Sequence, residues 1–213
     1  MNRSYQKTDV FTNSEYSLDE LRVSLSHALP SLKFRRHGIG VLQAYLIEGQ
    51  QEIRVHIWHP SLLIREVEQS GQIHDHRFTL RSTVLFGKIE HHEYHLTESK
   101  EGSWVQHTVM NARRGGDVSE VLPGLFNADV IEGTIKTGQT YIFRRGEFHR
   151  SLVKGPAVTI VSKLDQVDVR ARILVYRGSP VVHGFSAPQP NETFIQRYVN
   201  SAAEALRTGL WHE

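Results

Sequence analysis

The stretch of residues 71–87 reads GQIHDHRFTLRSTVLFG and combines two features that decide the fold. Its second half is a short run of apolar and polar residues that ends at a glycine, which predicts a β-strand followed by a tight turn. Just before this strand, His74 and His76 are separated by a single residue. Residues two apart on an extended chain point to the same side, so both imidazoles can reach one ion while Asp75 points away.

Short segments of the same kind continue on both sides of this stretch, from about residue 40 to 182. They are separated by Gly, Asn, Asp and Pro, and they read VLQAYLIEG, EIRVHIWHP, KIEHHEYHL, SWVQHTVMN, DVIEGTIKTG, QTYIFRRG, AVTIVSKL and RILVYRG. Because no long helical pattern interrupts them, we expect an all-β fold built as an antiparallel sandwich or barrel, and not a doubly wound fold. The intervening ARRGGDVSEVLPGLFNAD, residues 112–129, is expected to form a long loop or a protruding excursion.

Both ends of the chain carry helical patterns. In SLDELRVSLSHALPSL, Ser17 and Glu20 form a capping box, and leucines recur on one face until Pro30. Near the C-terminus, Asn191 or Thr193 is the expected N-cap of a second helix. The apolar residues that recur along this second helix at four-residue spacing are Phe194, Tyr198, Ala202, Leu206 and Leu210. We expect this helix to pack on the outside of the β core.

The composition describes an ordinary globular chain of 213 residues, with 39% hydrophobic residues, 23% charged residues and a net charge of +2. There are no cysteines, which excludes disulfides, thiolate metal sites and cysteine nucleophiles. No basic run predicts binding to nucleic acid, no apolar run approaches the roughly 20 residues that span a bilayer, and the polar N-terminus lacks a signal-peptide core. We therefore expect one cytoplasmic domain, with a helical segment over 1–39, a barrel over 40–182 and a C-terminal helix over 183–213.

A second motif begins at residue 138, where the chain reads GQTYIFRRGEFHRSLV. Five residues separate Gly138 from the tripeptide Arg144–Gly146, and His149 follows after two more. This pattern resembles the second motif of the cupin superfamily, G-x5-P-x-G-x2-H, and GQIHDHRFTLRSTVLFG resembles the first, G-x5-H-x-H-x3/4-E-x6-G. The resemblance covers about residues 40 to 170 and implies a cupin-type antiparallel β barrel, the double-stranded β-helix.

Two departures from the cupin motifs affect the chemistry. Arg144 stands at the proline of the second motif, and the glutamate of the first motif falls on Leu80, or on Arg81 if the strand carries a bulge. What remains of the cupin ligand set is a trio of histidines, His74, His76 and His149. Neutral imidazole binds zinc, iron, copper and nickel, and three ligands leave positions open for substrate or dioxygen. The alternative is a degenerate cupin whose histidines are hydrogen-bonded core groups without a metal.

Among cupins, three histidines without the glutamate resemble the thiol dioxygenases, the cysteine dioxygenase family, which use ferrous iron and O2 to oxidise a thiol to a sulfinate. The segments IHDH, HR and PAVTI and the N-terminal helix support this resemblance. The histidine and tyrosine that this family carries after the second motif fall on Val161 and Lys163, and its carboxylate-binding arginine falls near Gln43. The resemblance thus implies one divalent ion, with Fe(II) favoured and zinc, nickel or manganese as alternatives.

These observations favour a cysteine dioxygenase-like, metal-dependent oxidoreductase, a non-haem iron dioxygenase that acts with O2 on a small acidic or thiol substrate. The alternatives are a non-redox metal cupin, such as an isomerase or lyase, and a small-molecule-binding module without catalysis. The candidate substrate-binding residues are Arg81, Arg144, Tyr141, Lys163 and His92, because cations pair with carboxylates and aromatic hydroxyls donate hydrogen bonds. The alternative is that the three cations are exposed surface charges and that Tyr141 is a core aromatic. We expect neither nucleic-acid nor membrane partners, and a homodimer is an open alternative because strand edges are often covered by a partner.

A second group of histidines lies in KIEHHEYHL. Alternation along a strand places His91, Glu93 and His95 on one face, and His92 with Tyr94 on the other. We expect the first face to be solvated, with a second metal site as the alternative. The second face shares its side with apolar residues, so we expect His92 to line the cavity.

Overall fold

The computed structural model describes residues 17–47, 52–64, 72–109, 118–181 and 189–212. Within these ranges the chain forms two α-helices, α1 (Leu18–Ala28) and α2 (Glu192–Thr208), and short 3-10 turns at Leu29–Ser31 and Pro60–Leu62. The strands are β1 (Arg35–His37), β2 (Val41–Ile47), β3 (Ile53–Trp58), β4 (Phe78–Phe86), β5 (Lys88–Glu98), β6 (Trp104–Val109), β7 (Val118–Val121), β8 (Phe126–Lys136), β9 (Thr140–Phe143), β10 (Phe148–Leu152), β11 (Ala157–Gln166) and β12 (Ala171–Tyr176). Neither helix is long and apolar enough to cross a membrane, and this holds for the described residues as a whole.

The strands form two antiparallel sheets. The first sheet has the order β1-β2-β3-β11-β4-β9, and the second has the order β10-β5-β8-β6-β12, with β7 paired to β6. Isolated bridges from His74 to His149 and to Ile173 add the short segment 72–76 to the second sheet, between β10 and β12. The chain therefore crosses repeatedly between the two sheets, which confirms the predicted all-β, double-stranded β-helix. No strand pairing joins the two sheets within the ranges given above, so they face each other without closing into a continuous barrel.

Alternation along β3 separates two apolar layers. Val55 and Ile57 point to the outer face of the first sheet, where they pack in one cluster with Leu25 of α1 and Leu206 of α2. Trp58 points the other way, into a cluster between the sheets that also contains Val84, Ile89 and Ile135 from β4, β5 and β8. The two helices thus cover the outside of the first sheet, as expected for the C-terminal helix.

The helix ends follow the predicted signals with one correction. The Glu20 N–H donates to Ser17 Oγ at 3.2 Å and the Ser17 N–H donates to Glu20 Oε2 at 2.7 Å, which is the predicted capping box. Asn191 caps α2 by accepting the Phe194 N–H at 2.8 Å. Leu210, expected on the helix, lies beyond it and is 60% exposed, because the chain leaves the helix at Gly209 with φ of 79°.

The nine predicted strand segments are all present, and three further strands are added to them. β1 and β10 are short, and β7 lies inside the segment 112–129 that we expected to be a loop. A long loop is the wrong description from Val118 onward, since β7 pairs with β6 and β8 already begins at Phe126, opposite Glu98. Residues 112–117 lie outside the described residues. Pro123 and Gly124 break the alternation between β7 and β8, which is why the pattern alone predicts a loop.

Candidate metal centre

The two motifs identified in the sequence lie side by side in the second sheet. The His74 N–H donates to the His149 carbonyl and the His149 N–H to the His74 carbonyl, each at 3.0 Å. On its other side, the segment 72–76 is bonded to β12: the Asp75 N–H donates to the Arg172 carbonyl and the Leu174 N–H to the Ile73 carbonyl, each at 2.9 Å. Because residues directly opposite each other in a ladder point to the same face, His74 and His149 face the space between the sheets together.

The three histidines of the trio converge. Their ring centroids are 4.8 Å apart for His74 and His76, 4.7 Å for His74 and His149, and 5.0 Å for His76 and His149. One ring nitrogen from each histidine lies within 4.8 Å of those from the other two. Three imidazoles at nearly equal separations, each offering a nitrogen to the others, can share one ion between them.

Backbone contacts and aromatic rings orient the three imidazoles. Nδ1 of His74 lies 2.8 Å from the Gln72 carbonyl oxygen, and Nδ1 of His149 lies 3.2 Å from the Glu147 carbonyl oxygen. In the tautomer that donates these bonds, Nε2 keeps its lone pair for a metal. Two rings of the first sheet pack against the trio: Phe143 stacks on His149 at 3.6 Å and 5°, and Phe78 stacks on His76 at 4.8 Å and 25°.

The three imidazoles are held in the neutral form that binds metals. Burial lowers the pKa of His74, and it lowers the pKa values of His76 and His149 well below the usual range. Repulsion from His74 lowers the latter two pKa values further. A metal competes with protons for the imidazole lone pair. Imidazoles that are already neutral therefore bind the metal without first having to lose a proton. The donor set, its tautomers and its charge state therefore fit a divalent first-row metal ion.

No carboxylate joins the trio from β4. Leu80, at the position of the cupin glutamate, is buried in the apolar cluster between the sheets. Arg81 points to the outer face of the first sheet, opposite Ile142, which is exposed. A metal held by the trio would thus have imidazole ligands alone from these two motifs, with its remaining positions available to other molecules.

Two of the predicted substrate-binding residues point into the space between the sheets. Lys163 has a side chain that is 8% exposed, and its Nζ lies 4.5 Å from the centre of the Phe78 ring that stacks on His76. Tyr141 is buried on the inner face of β9, and burial raises its pKa to about 12. Tyr141 therefore keeps its hydroxyl proton and can act as a donor, but not as a base, at neutral pH.

The other three predicted substrate-binding residues lie away from the trio. Besides Arg81 on the outer face, Arg144 is exposed at the end of β9, where its N–H donates to Glu147 Oε2 at 2.8 Å. His92 lies on the outer face of the second sheet and accepts a bond of 3.3 Å from Arg150. This differs from the expectation that His92 lines the cavity, because the ladder of β5 and β10 sets Glu93, and not His92, opposite His149.

His91, and not His92, lies on the inner face of β5. It is 1% exposed, its ring centroid lies 4.5 Å from that of Phe143, and its Nε2 lies 2.9 Å from Glu93 Oε1. The expectation of a solvated face is therefore wrong for His91, although His95 on the same face is 50% exposed. In the part of the chain that the structure describes, no second set of three histidine or carboxylate ligands converges as the trio does.

Sequence reasoning missed a charged group on β3. Arg54 points inward, with its guanidinium carbon 5.2 Å from the centre of the Tyr45 ring and 5.9 Å from that of Phe78. Its charge is among the causes that lower the pKa values of His76 and His56. The available signal was the alternation Arg54, His56 and Trp58, which places all three on one face but does not say whether that face is the inner one.

Comparison with known proteins finds similarity to solved structures alone. No protein-family model matches it, and no curated protein matches it. A protein with a double-stranded β-helix domain from Klebsiella pneumoniae is 12% identical, with a TM-score of 0.34 over 64% of this chain and 85% of that chain. An RmlC-like cupin from Shewanella frigidimarina is 12% identical, with a TM-score of 0.34 over 62% and 82%.

A third similar structure is the hydroxypropylphosphonic acid epoxidase from S. wedmorenis, which is 12% identical with a TM-score of 0.37. The similarity covers 62% of this chain and 55% of the epoxidase, so it extends over about half of the length of that enzyme. The Klebsiella and Shewanella proteins are described as a double-stranded β-helix protein and a cupin. The finer resemblance to thiol dioxygenases stays a prediction.

Proposed function

We propose that the chain is a metal-dependent enzyme, a non-haem iron dioxygenase, whose ion is held by His74, His76 and His149. The observation that carries this proposal is the convergence of three neutral imidazoles within 4.8 Å of one another, with no carboxylate beside them on β4. When bound, ferrous iron would supply O2 chemistry and a positive charge beside the substrate. The protein's own part is to bind the ion, to orient the substrate and to exclude competing groups.

The charges near the trio favour an acidic substrate. Arg54 and Lys163 approach the same Phe78 ring, and both pair with the buried carboxylate of Glu52, at 2.9 Å for the Lys163 contact. Among the described residues, this group contains two cations and one anion. Since Phe78 also stacks on His76, a carboxylate bound by either cation would lie beside the metal. Lys163 is the residue that takes the place of the tyrosine of the thiol dioxygenases.

A metal-dependent lyase or isomerase is the second candidate. Its specific support is the inner face of β11, where Val161 and Lys163 replace the histidine and tyrosine of the thiol dioxygenases. A divalent ion acting as a Lewis acid on a carbonyl or carboxylate needs the same open positions at the trio, but no O2. Consumption of O2 therefore separates the two candidates.

Metal analysis of the protein purified without a histidine tag tests the metal centre. After anaerobic loading with Fe(II), we expect one ion per chain in the wild type and loss of that ion and of activity in His149→Ala. The control variant is His95→Ala, which removes an exposed histidine on β5 and should retain both. Retention of the ion in His149→Ala would show that it binds elsewhere. O2 uptake with small thiols, diketones and carboxylic acids then tests the reaction.

Binding of acetate, as the smallest carboxylate, tests the substrate class. Replacing Lys163 or Arg54 with methionine removes one cation while keeping an apolar side chain, and it should weaken acetate binding to the metal-loaded protein about tenfold or more, the loss expected for one charge-assisted hydrogen bond. Arg81→Met removes a cation from the outer face and is the matched control. Equal affinity in Arg81→Met and in the two inner variants would contradict an anion site at Arg54 and Lys163. Isothermal titration gives the dissociation constants.

A further inference from the structure

Asp75, the residue between the first two ligands of the trio, is the centre of a buried contact on the opposite face. Its side chain is 4% exposed, and Oδ2 accepts from Arg172 Nε and pairs with Arg172 Nη2, each at 2.7 Å. Oδ1 accepts the backbone N–H of Arg172, and the Asp75 N–H donates to the Arg172 carbonyl at 2.9 Å. Both guanidinium nitrogens therefore approach one carboxylate oxygen, while the backbone N–H of Arg172 is bonded to the other, so contacts at both oxygens fix the Asp75 side chain.

The same guanidinium reaches the segment that leads to the third ligand. Arg172 Nη2 lies 3.5 Å from the Gly146 carbonyl oxygen, and the guanidinium carbon lies 5.0 Å from the centre of the Phe148 ring. The Gly146 N–H in turn donates to the His76 carbonyl at 3.1 Å. Gly146 precedes His149 by three residues, so one side chain contacts the segment of His74 and His76 and the turn before His149. A further bond of 3.0 Å to Gln106 Oε1 holds this guanidinium against β6.

We propose that Arg172, through its ion pair with Asp75, is a positioning residue that holds the two ligand-bearing segments at the separation that the metal requires. This inference rests on the proposed function only in taking the trio as metal ligands. The segment 72–76 forms isolated bridges and not a regular strand, so its side-chain directions depend on contacts beyond a continuous ladder. Stability alone does not explain the pair, because the Arg172 side chain is 32% exposed and solvent screens the attraction between the two charges.

A double-mutant cycle in cobalt binding tests the proposal. The variants are Asp75→Asn, Arg172→Met and the double variant, and the measurements are the Co(II) dissociation constant, the visible absorption spectrum of bound Co(II), and the free energy of unfolding in urea. Each single change should weaken Co(II) binding by on the order of 10- to 100-fold, the loss typical when a group that orients a ligand is removed, and should alter the spectrum. The double variant should regain stability, because no buried charge is left unpaired, while its Co(II) affinity stays low.

Leu206→Ala is the control for stability. Leu206 is buried under α2 on the outer face of the first sheet, so its truncation destabilises the fold without contacting the trio or Arg172. We expect it to keep the Co(II) affinity and spectrum of the wild type. Wild-type affinity and spectrum in the double variant, or a loss of affinity in Leu206→Ala as large as in Arg172→Met, would overturn the positioning role alone. Failure of the wild type to bind Co(II) would overturn the proposed function and this role with it.

Discussion

Aromatic side chains of one sheet orient the candidate metal ligands of the other. Phe143 lies parallel to His149 at 3.6 Å, and Phe78 stacks on His76, while the ligands themselves come from the second sheet. A ring packed against a flat neighbour loses rotational freedom before any metal arrives, and a preformed site costs less entropy to occupy. The first sheet therefore contributes orientation and charge, and the second contributes the nitrogen donors.

His56 should make the stability of the protein depend on pH. Burial, with a smaller effect of Arg54, lowers its pKa to about 3. An unfolded histidine titrates near pH 6.5, so between about pH 6.5 and 3 the unfolded chain binds a proton that folded His56 does not, and stability falls as the pH falls. His56→Leu should reduce the slope of stability against pH in this window by up to about 1.4 kcal/mol per pH unit. Urea unfolding between pH 7.5 and 4.5 measures both slopes, and parallel curves would contradict the effect.

Sequence reasoning identified the trio because its signals are local: one residue between His74 and His76, and a short glycine-bounded motif before His149. It did not identify which face of a strand is the inner one. Alternation grouped His91 with Glu93, and Arg54 with His56, but pairing across strands decides which group faces the other sheet. The apolar cluster of Ile73, Tyr94, Phe148 and Leu174 covers the outer face of the second sheet and leaves His91 on the inner one.

The sequence predicted the presence of most strands, but it did not predict which strands pair with each other. The nine strands with clear alternation were all found from sequence, whereas β1 and β10 span only three and five residues. The three residues of β1 carry too few alternations to be recognised, and β10 is defined by its ladder with β5. The segment 72–76 is a related case, since its place between β10 and β12 follows from the pairing of His74 with His149 and Ile173, which lie 75 and 99 positions further along the chain.

The turn between β4 and β5 depends on glycine for two separate reasons. Gly87 has φ of 78°, and a Cβ at this position would lie 2.2 Å from the Pro156 carbonyl oxygen. Gly178 has φ of 82° with nothing within 4 Å of such a Cβ, so it shows the conformational cost alone. Gly178→Ala should cost about 1–2 kcal/mol, the penalty of the left-handed region for a residue with a Cβ. Gly87→Ala should cost more, because backbone at the β4–β5 turn must also move.

Urea unfolding of the two alanine variants compares these costs directly. The difference between them measures the contact with Pro156, since both glycines share the same backbone region. Equal destabilisation of the two variants would mean that the β4–β5 turn moves away from Pro156 at no cost in stability. The close approach of this turn to the start of β11 would then not require glycine at position 87.

At the scale of the whole molecule, the two sheets have different outer layers. The first sheet is covered by α1 and α2 over a buried apolar cluster, whereas the outer face of the second carries the smaller cluster around Tyr94 and Leu174. The candidate metal centre lies on the inner side of the second sheet, away from the helices. Changes in the helix layer should therefore lower stability and leave metal binding intact, whereas changes at the trio should remove metal binding.

Metal binding should stabilise the whole fold, because the trio joins segments far apart in sequence that come together only in the folded chain. An ion that binds the folded state alone adds about 2.7 kcal/mol to the free energy of unfolding at a free concentration of 100 times its dissociation constant. For a chain of this size, each kcal/mol raises the melting temperature by about 2–4 °C, so a rise of roughly 5–10 °C is expected with Co(II) or Zn(II). Thermal unfolding with metal and with a chelator measures the shift, and His149→Ala should abolish it. An equal shift in that variant would place the bound ion at other histidines of the chain and would remove the main support for catalysis at the trio.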